Sequence, residues 1–158
     1  MRIDEFVAEH GRELSRLAYL LCRDSEAAQD LVQSTLVNAV PRWPRISTMD
    51  HALAYVRRML VNEFLSGQRR ARLSLAERVI ALEATTPDPS EQVVARMVVG
   101  ELLDSLAPRA RSILVLRYYW DLTDGQVADE LGISTSTVRA TIARALATLR
   151  GRDLARLS

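Results

Sequence analysis

The segment Thr85-Thr86-Pro87-Asp88-Pro89-Ser90 breaks the chain in two before any element has been assigned. Each proline lacks a main-chain donor and holds the residue before it in an extended conformation, so neither a helix nor a central strand runs through. On both sides of the break, apolar residues recur at intervals of three and four rather than two, the spacing of an amphipathic helix. Only 5% of the residues are aromatic, so the cores must be built from Leu, Val, Ile and Ala, a palette that favours helices over sheets. A chain of 158 residues divided this way leaves two small bodies. The expectation is an all-α fold of two small helical domains, residues 1–72 and 93–158, joined by an extended, proline-stiffened linker over 73–92. A short helix over Ala71 to Leu82 would lie at the start of that linker.

The pattern within each half places the helices. Leu14, Leu17, Ala18 and Leu21 share one face. A second helix from near Ser25 turns Ala28, Leu31, Val32, Leu36 and Val40 inward until Pro41 stops it. Pro41 to Met49 reads as a loop. Asp50 is placed to cap a third helix with Leu53, Val56, Leu60, Val61 and Phe64 inside, ending in the stretch Gly67 to Arg72. Beyond the break, Val93, Met97, Val98 and Leu102 resume the register. Pro108 suits a helix's first turn, and Ile113, Leu114 and Leu116 follow.

The most specific motif is Leu122 to Leu149. Thr123 and Gln126 have the spacing of a capping box, in which each side chain satisfies the other's backbone amide. Val127, Ala128 and Leu131 form the inner face of a short helix, Gly132 supplies a left-handed turn, Ile133 plugs it, and Ser134 caps a second helix whose buried stripe is Val138, Ile142 and Ala145. Two helices crossing steeply over so short a turn need small residues at the contact, here Ala128 and Gly132. The pattern predicts a helix-turn-helix whose second helix offers its exposed start to a DNA major groove. Hydroxyls and helix N-terminal amides suit phosphates, and arginine suits a guanine edge.

Charge distribution agrees. The formal net charge is only +1, yet all 21 basic residues are arginine; five lie in 57–72 against one acid, and four lie in 132–152 against none. Two basic segments in a nearly neutral chain mark candidate nucleic-acid footprints. Other chemistries lack their residues. A lone Cys22 and two separated histidines, His10 and His51, make neither an internal disulfide nor a zinc site of the usual spacing. There is no glycine-rich phosphate loop and no Cys/His pair, so no cofactor, metal or catalytic group is expected. No apolar run approaches the ~20 residues of a membrane span, and Met1 to His10 lacks the apolar run of a leader peptide. A cytoplasmic protein without membrane insertion is expected.

Two stretches carry a family resemblance. Leu106-Ala107-Pro108-Arg109-Ala110-Arg111, Leu116-Arg117-Tyr118-Tyr119 and Thr137-Val138-Arg139-Ala140 resemble region four of extracytoplasmic-function sigma factors of the sigma-70 superfamily. Ala28-Gln29-Asp30-Leu31-Val32-Gln33 and Ala54-Tyr55-Val56-Arg57-Arg58-Met59-Leu60-Val61-Asn62 resemble region two. The order and spacing of the two regions fit one such factor. The resemblance implies that Asp30, Leu31, Gln33, Thr35 and Asn38 face core RNA polymerase. It implies that Arg58, Asn62, Ser66 and Arg69, with the loop from Ile46 to Asp50, hold the single-stranded −10 promoter element. Ser134, Thr135, Ser136, Thr137, Arg139 and Arg144 would contact the −35 duplex, and an anti-sigma protein is a possible further partner. Trp43 reads as a packing residue, and Tyr118, Tyr119 and Trp120 as core and surface contacts. Without the resemblance, a stand-alone helix-turn-helix transcriptional regulator remains the alternative.

Overall fold

The structure, a computed structural model, describes residues 1–75 and 99–157. Among them every regular element is helical. The first half holds α1 (Ile3–Cys22), α2 (Ser25–Ala39), the short α3 (Trp43–Ile46) and α4 (Ala52–Leu75). Arg23, at φ 57°, turns the chain out of α1. The Asp24 carboxylate then caps α2 by accepting from the Ala27 N–H at 2.8 Å. Phe6, Leu14, Leu17 and Leu21 of α1 meet Ala28 and Leu31 of α2 and Val56, Leu60 and Phe64 of α4 in an apolar core that continues into the second half through Leu103, Ile113, Leu116 and Val127. Trp43 packs its ring edge-on to Phe6, with centroids 5.1 Å apart, and its Nε1–H donates to the Met1 carbonyl.

Three expectations are corrected here. The stretch from Pro41 is not a loop throughout: a 3-10 turn over Val40–Arg42 leads directly into α3. A proline that cannot continue one helix is at home in the first turn of the next, and Pro41 and Pro44 both take that place. The tighter winding also rotates Val40 outward to 55% exposure, and Ala39 takes the inner position. The third correction concerns α4, which begins at Ala52 rather than on an Asp50 cap, with the His51 carbonyl accepting from the Tyr55 N–H, and does not stop at Gly67 but runs to Leu75. One glycine costs a helix only about 1 kcal/mol relative to alanine. Residues 73–75 therefore belong to α4. The remainder of the expected linker, with Val93, Met97 and Val98, lies outside the described residues.

In the second half, residues 99–105 form α5, followed by α6 (Pro108–Leu114), α7 (Asp124–Leu131) and α8 (Thr135–Leu157). Pro108 occupies the first turn of α6, as expected. A π-helical turn over Val115–Tyr119 prolongs α6, a departure that helical periodicity does not announce. Ile113, Leu116, Val127 and Val138 are wholly buried. Helix α8 passes its expected end at Leu149. The halves are in contact: α6 packs on both α1 and α4.

Candidate nucleic-acid interface

The helix-turn-helix is assembled by local hydrogen bonds. The Gln126 N–H donates to Thr123 Oγ1 at 3.1 Å, and the Thr123 N–H donates to Gln126 Oε1 at 2.9 Å, completing the expected box. Gly132 closes α7 at φ 66°, ψ 37°, donating its N–H to the Ala128 carbonyl. Ser134 Oγ then accepts from the Thr137 N–H at 3.2 Å. Buried Val138 and Ala145 set α8 against α6 and α7, with Ile142 half-buried beside them.

This packing leaves the start of α8 outward. Ser134 and Ser136 are exposed, Thr135 and Thr137 half-buried, and Arg139 and Arg144 exposed. The Ser134 hydroxyl lies 3.0 Å from that of Ser136 and 2.8 Å from that of Thr137, a cluster of donors and acceptors at the helix N-terminus. Arg139 Nε donates to Asp124 Oδ2 at 3.3 Å, and the other oxygen of that carboxylate accepts from Arg117 Nε at 3.1 Å. Asp124 thus steadies Arg139, a role that its place in the sequence does not suggest. Arg109 and Arg144 flank a groove between α6 and α8 that also includes Thr137, Thr141 and Thr148.

A second outward surface runs along α4. Arg58, Asn62, Ser66 and Arg69 are all exposed, and intervals of four, four and three put them on one helical face. Their span is roughly 16 Å at 1.5 Å per residue. In the adjoining turn, Ile46 is wholly buried and so reaches no nucleic acid. Ser47 and Thr48 donate to the Pro44 and Arg45 carbonyls.

The α2 residues separate. Asp30, Gln33 and Asn38 are exposed, whereas Leu31 is 9% exposed and Thr35 only 1%. Thr35 Oγ1 donates to the Leu31 carbonyl at 2.8 Å, so its polar atom is satisfied inside the helix bundle. Leu31 and Thr35 therefore support the surface from within and are not part of it. Val37, 68% exposed between Gln33 and Asn38, was missing from the expected set; a valine out of register with the buried stripe was its only sequence signal.

Two perturbed groups lie near the junction of the halves. Burial pushes the Cys22 thiol from 9.0 up to about 11, against a smaller lowering by Arg111. Burial likewise holds the Arg111 guanidinium below its ordinary range, with Asp104 opposing. No cluster of potential metal ligands occurs among the described residues. None of the described helices is long and apolar enough to cross a membrane.

Comparison with known proteins matches residues 6–73 to the family described as Sigma-70 region 2 and residues 102–151 to Sigma-70, region 4. The chain is 35% identical over 158 residues to the RNA polymerase sigma-E factor of Streptomyces avermitilis, covering 98% of this chain and 88% of that one. It is 29% identical over 148 residues to the ECF RNA polymerase sigma factor SigL of Mycobacterium tuberculosis, covering 90% and 83%. Among solved structures, the sigma factor RpoE of Bartonella quintana, crystallised with the anti-sigma factor NepR, superposes with a TM-score of 0.75 over 94% of each chain. At 21% identity that likeness shows the shared fold alone.

Proposed function

The chain belongs to the extracytoplasmic-function group of the sigma-70 family of RNA polymerase sigma factors, and from that premise we propose how its three outward faces divide the work of starting transcription. It is a promoter-recognising initiation factor. The start of α8, with Ser134, Thr135, Ser136, Thr137, Arg139 and Arg144, reads the −35 duplex. The α4 face of Arg58, Asn62, Ser66 and Arg69 takes the non-template strand of the −10 element once it is melted. Asp30, Gln33 and Asn38, with Val37 among them, dock on core polymerase.

The mechanism is differential binding. Base edges hidden in a duplex become available to the α4 face only after strands part, so contacts there favour the open state. Each well-made base contact contributes about 1–3 kcal/mol, so two or three shift melting by orders of magnitude. The −35 contacts position the complex without discriminating open from closed DNA. The segment 76–92 that joins the two domains raises the effective concentration of each module once the other is bound. No step requires a catalytic group of this chain. Its place of work is the cytoplasm with polymerase, and an anti-sigma protein is a candidate further partner.

The observation that carries this reading is that one chain of this family presents two separate exposed faces of arginines and polar residues. One lies at a helix start suited to duplex DNA and the other along a helix flank. A stand-alone regulator needs only the first. Purified chain should co-elute with core polymerase and confer run-off transcription from specific starts. A chain that binds a duplex site tightly alone, and neither joins core enzyme nor directs initiation, would establish the regulator instead.

A further inference from the structure

One carboxylate at the start of α7 holds two arginines. Arg117, in the π-helical turn, donates from Nε to Asp124 Oδ1 at 3.1 Å, and Arg139 of α8 donates from Nε to Oδ2 of the same group at 3.3 Å. The Arg117 guanidinium also lies 5.7 Å from the Tyr118 ring centroid. These pairs stand apart from the one between Arg57 Nε and Glu130 Oε1 at 2.8 Å, whose side chains are only 10% and 9% exposed and out of reach of nucleic acid. Here Asp124 is 28% exposed, Arg117 36% and Arg139 71%, so the cluster opens outward beside the start of α8. Residues 132–152 themselves contain four arginines and no acid. Arg144 has no carboxylate of this kind and leans on the Thr141 hydroxyl at 3.5 Å.

Both Asp124 bonds are made through Nε, on the stem side of the guanidinium. The forked Nη end of Arg139 is left for a guanine O6 and N7, which accept two parallel N–H bonds. A phosphate asks less of an arginine, because any N–H donor in a positive field suffices, whatever the sequence. The carboxylate therefore acts unequally on the two kinds of contact. It offsets one of two positive charges that would draw in the phosphates of any duplex, and it spares the fork that a base edge requires. We propose that Asp124 is a specificity-determining residue of the −35 contact: by holding Arg117 and Arg139 through Nε, it weakens sequence-independent attraction to DNA more than it weakens recognition of the −35 element. The proposal rests on the −35 reading of Arg139. Asp124 also lies in the first turn of α7, where a negative charge complements the helix dipole. Were that its sole role, neutralising it would loosen α7 and weaken both kinds of binding alike.

The test uses holoenzyme carrying the full chain, titrated over a range of salt against two short duplexes of equal length. One bears the −35 element of a promoter the holoenzyme selects, and the other bears that element scrambled. Asp124→Asn keeps the shape and removes the charge. It should raise affinity for the scrambled duplex by about two- to fivefold, the range that releasing an exposed ion pair allows. Affinity for the −35 duplex should change by less, so the ratio of the two falls. The salt dependence on the scrambled duplex should steepen by up to about one unit of log K per log salt, as for one further phosphate neutralised. Asp124→Ser, neutral and suited to a helix's first turn, should repeat this result, and Asp124→Glu, which keeps the charge, should hold the ratio near the parent value. A ratio unchanged by both neutral variants, or equal weakening on both duplexes, would overturn the proposal. Arg139→Ala separates it from the reading beneath it. If that change leaves the ratio unaltered, the −35 assignment of Arg139 fails and the proposal with it. A ratio lowered by Arg139→Ala but untouched by Asp124→Asn and Asp124→Ser sinks the role of Asp124 alone.

Discussion

Replacing Gly132 with alanine isolates one physical term. The residue sits at φ 66°, ψ 37°, and a Cβ built there meets no atom within 4 Å, so no clash accompanies the change. What remains is the cost of holding an L-residue in the left-handed region, about 1–2 kcal/mol. That corresponds to about a five- to thirty-fold shift in the unfolding equilibrium. Gly132→Ala should lower the unfolding free energy of the chain by that amount, read by circular dichroism as a lower urea midpoint at an unaltered slope. Gly132→Asn should recover most of the loss, because asparagine visits this conformation readily. In holoenzyme under conditions where the variant stays folded, −35 binding should change little, since the turn itself persists. A Gly132→Ala chain as stable as the parent, or an asparagine variant as poor as the alanine one, would refute the backbone argument.

Arg139→Ala should weaken holoenzyme binding to the −35 duplex by about 1–3 kcal/mol and relax base preference at one position. The exposed pair with Asp124 holds it back by under about 1 kcal/mol; an equal loss on every base-substituted probe would make it a phosphate contact instead. Asp30→Ala, Gln33→Ala and Val37→Asp should each reduce association with core polymerase, measured by co-elution, while leaving helicity unchanged; normal association by all three would remove α2 from the docking face. Cys22 titrates near 11 in the folded chain, so iodoacetamide should label it slowly at pH 8 and faster only in strong alkali. Because the folded value is raised, its contribution to stability is intact below 9.0 and lost as pH rises through about 11. Rapid labelling of folded chain at pH 8 would contradict this burial.

The features legible in the sequence are those decided within a few residues. Thr123 and Gln126 cap one helix, Gly132 turns the chain and Ser134 caps the next, each through bonds to neighbours three or four residues away. On α4 the family resemblance, not periodicity, singled out Arg58, Asn62, Ser66 and Arg69, and helical spacing explains why they share one exposed face. Thr35 was misassigned to the surface because a threonine that bonds its own helix carbonyl is as comfortable inside as an alanine. The outward turn of Val40 follows the 3-10 winding after Ala39, which carries Pro41 in its first turn and which the spacing of apolar residues does not announce. Arg57 and Glu130 are 73 residues apart, and neither carries a local sign of the other. Nor does Asp124 announce its hold on Arg139 from 15 positions away.

The most direct test of the central claim is permanganate reactivity of thymines in the −10 element of a promoter selected by the holoenzyme. Core polymerase and this chain together should make those thymines reactive, neither component alone should do so, and Arg58→Ala with Asn62→Ala should suppress the signal while −35 protection persists. Duplex protection by the chain alone, with no strand opening when core enzyme is added, would contradict the account.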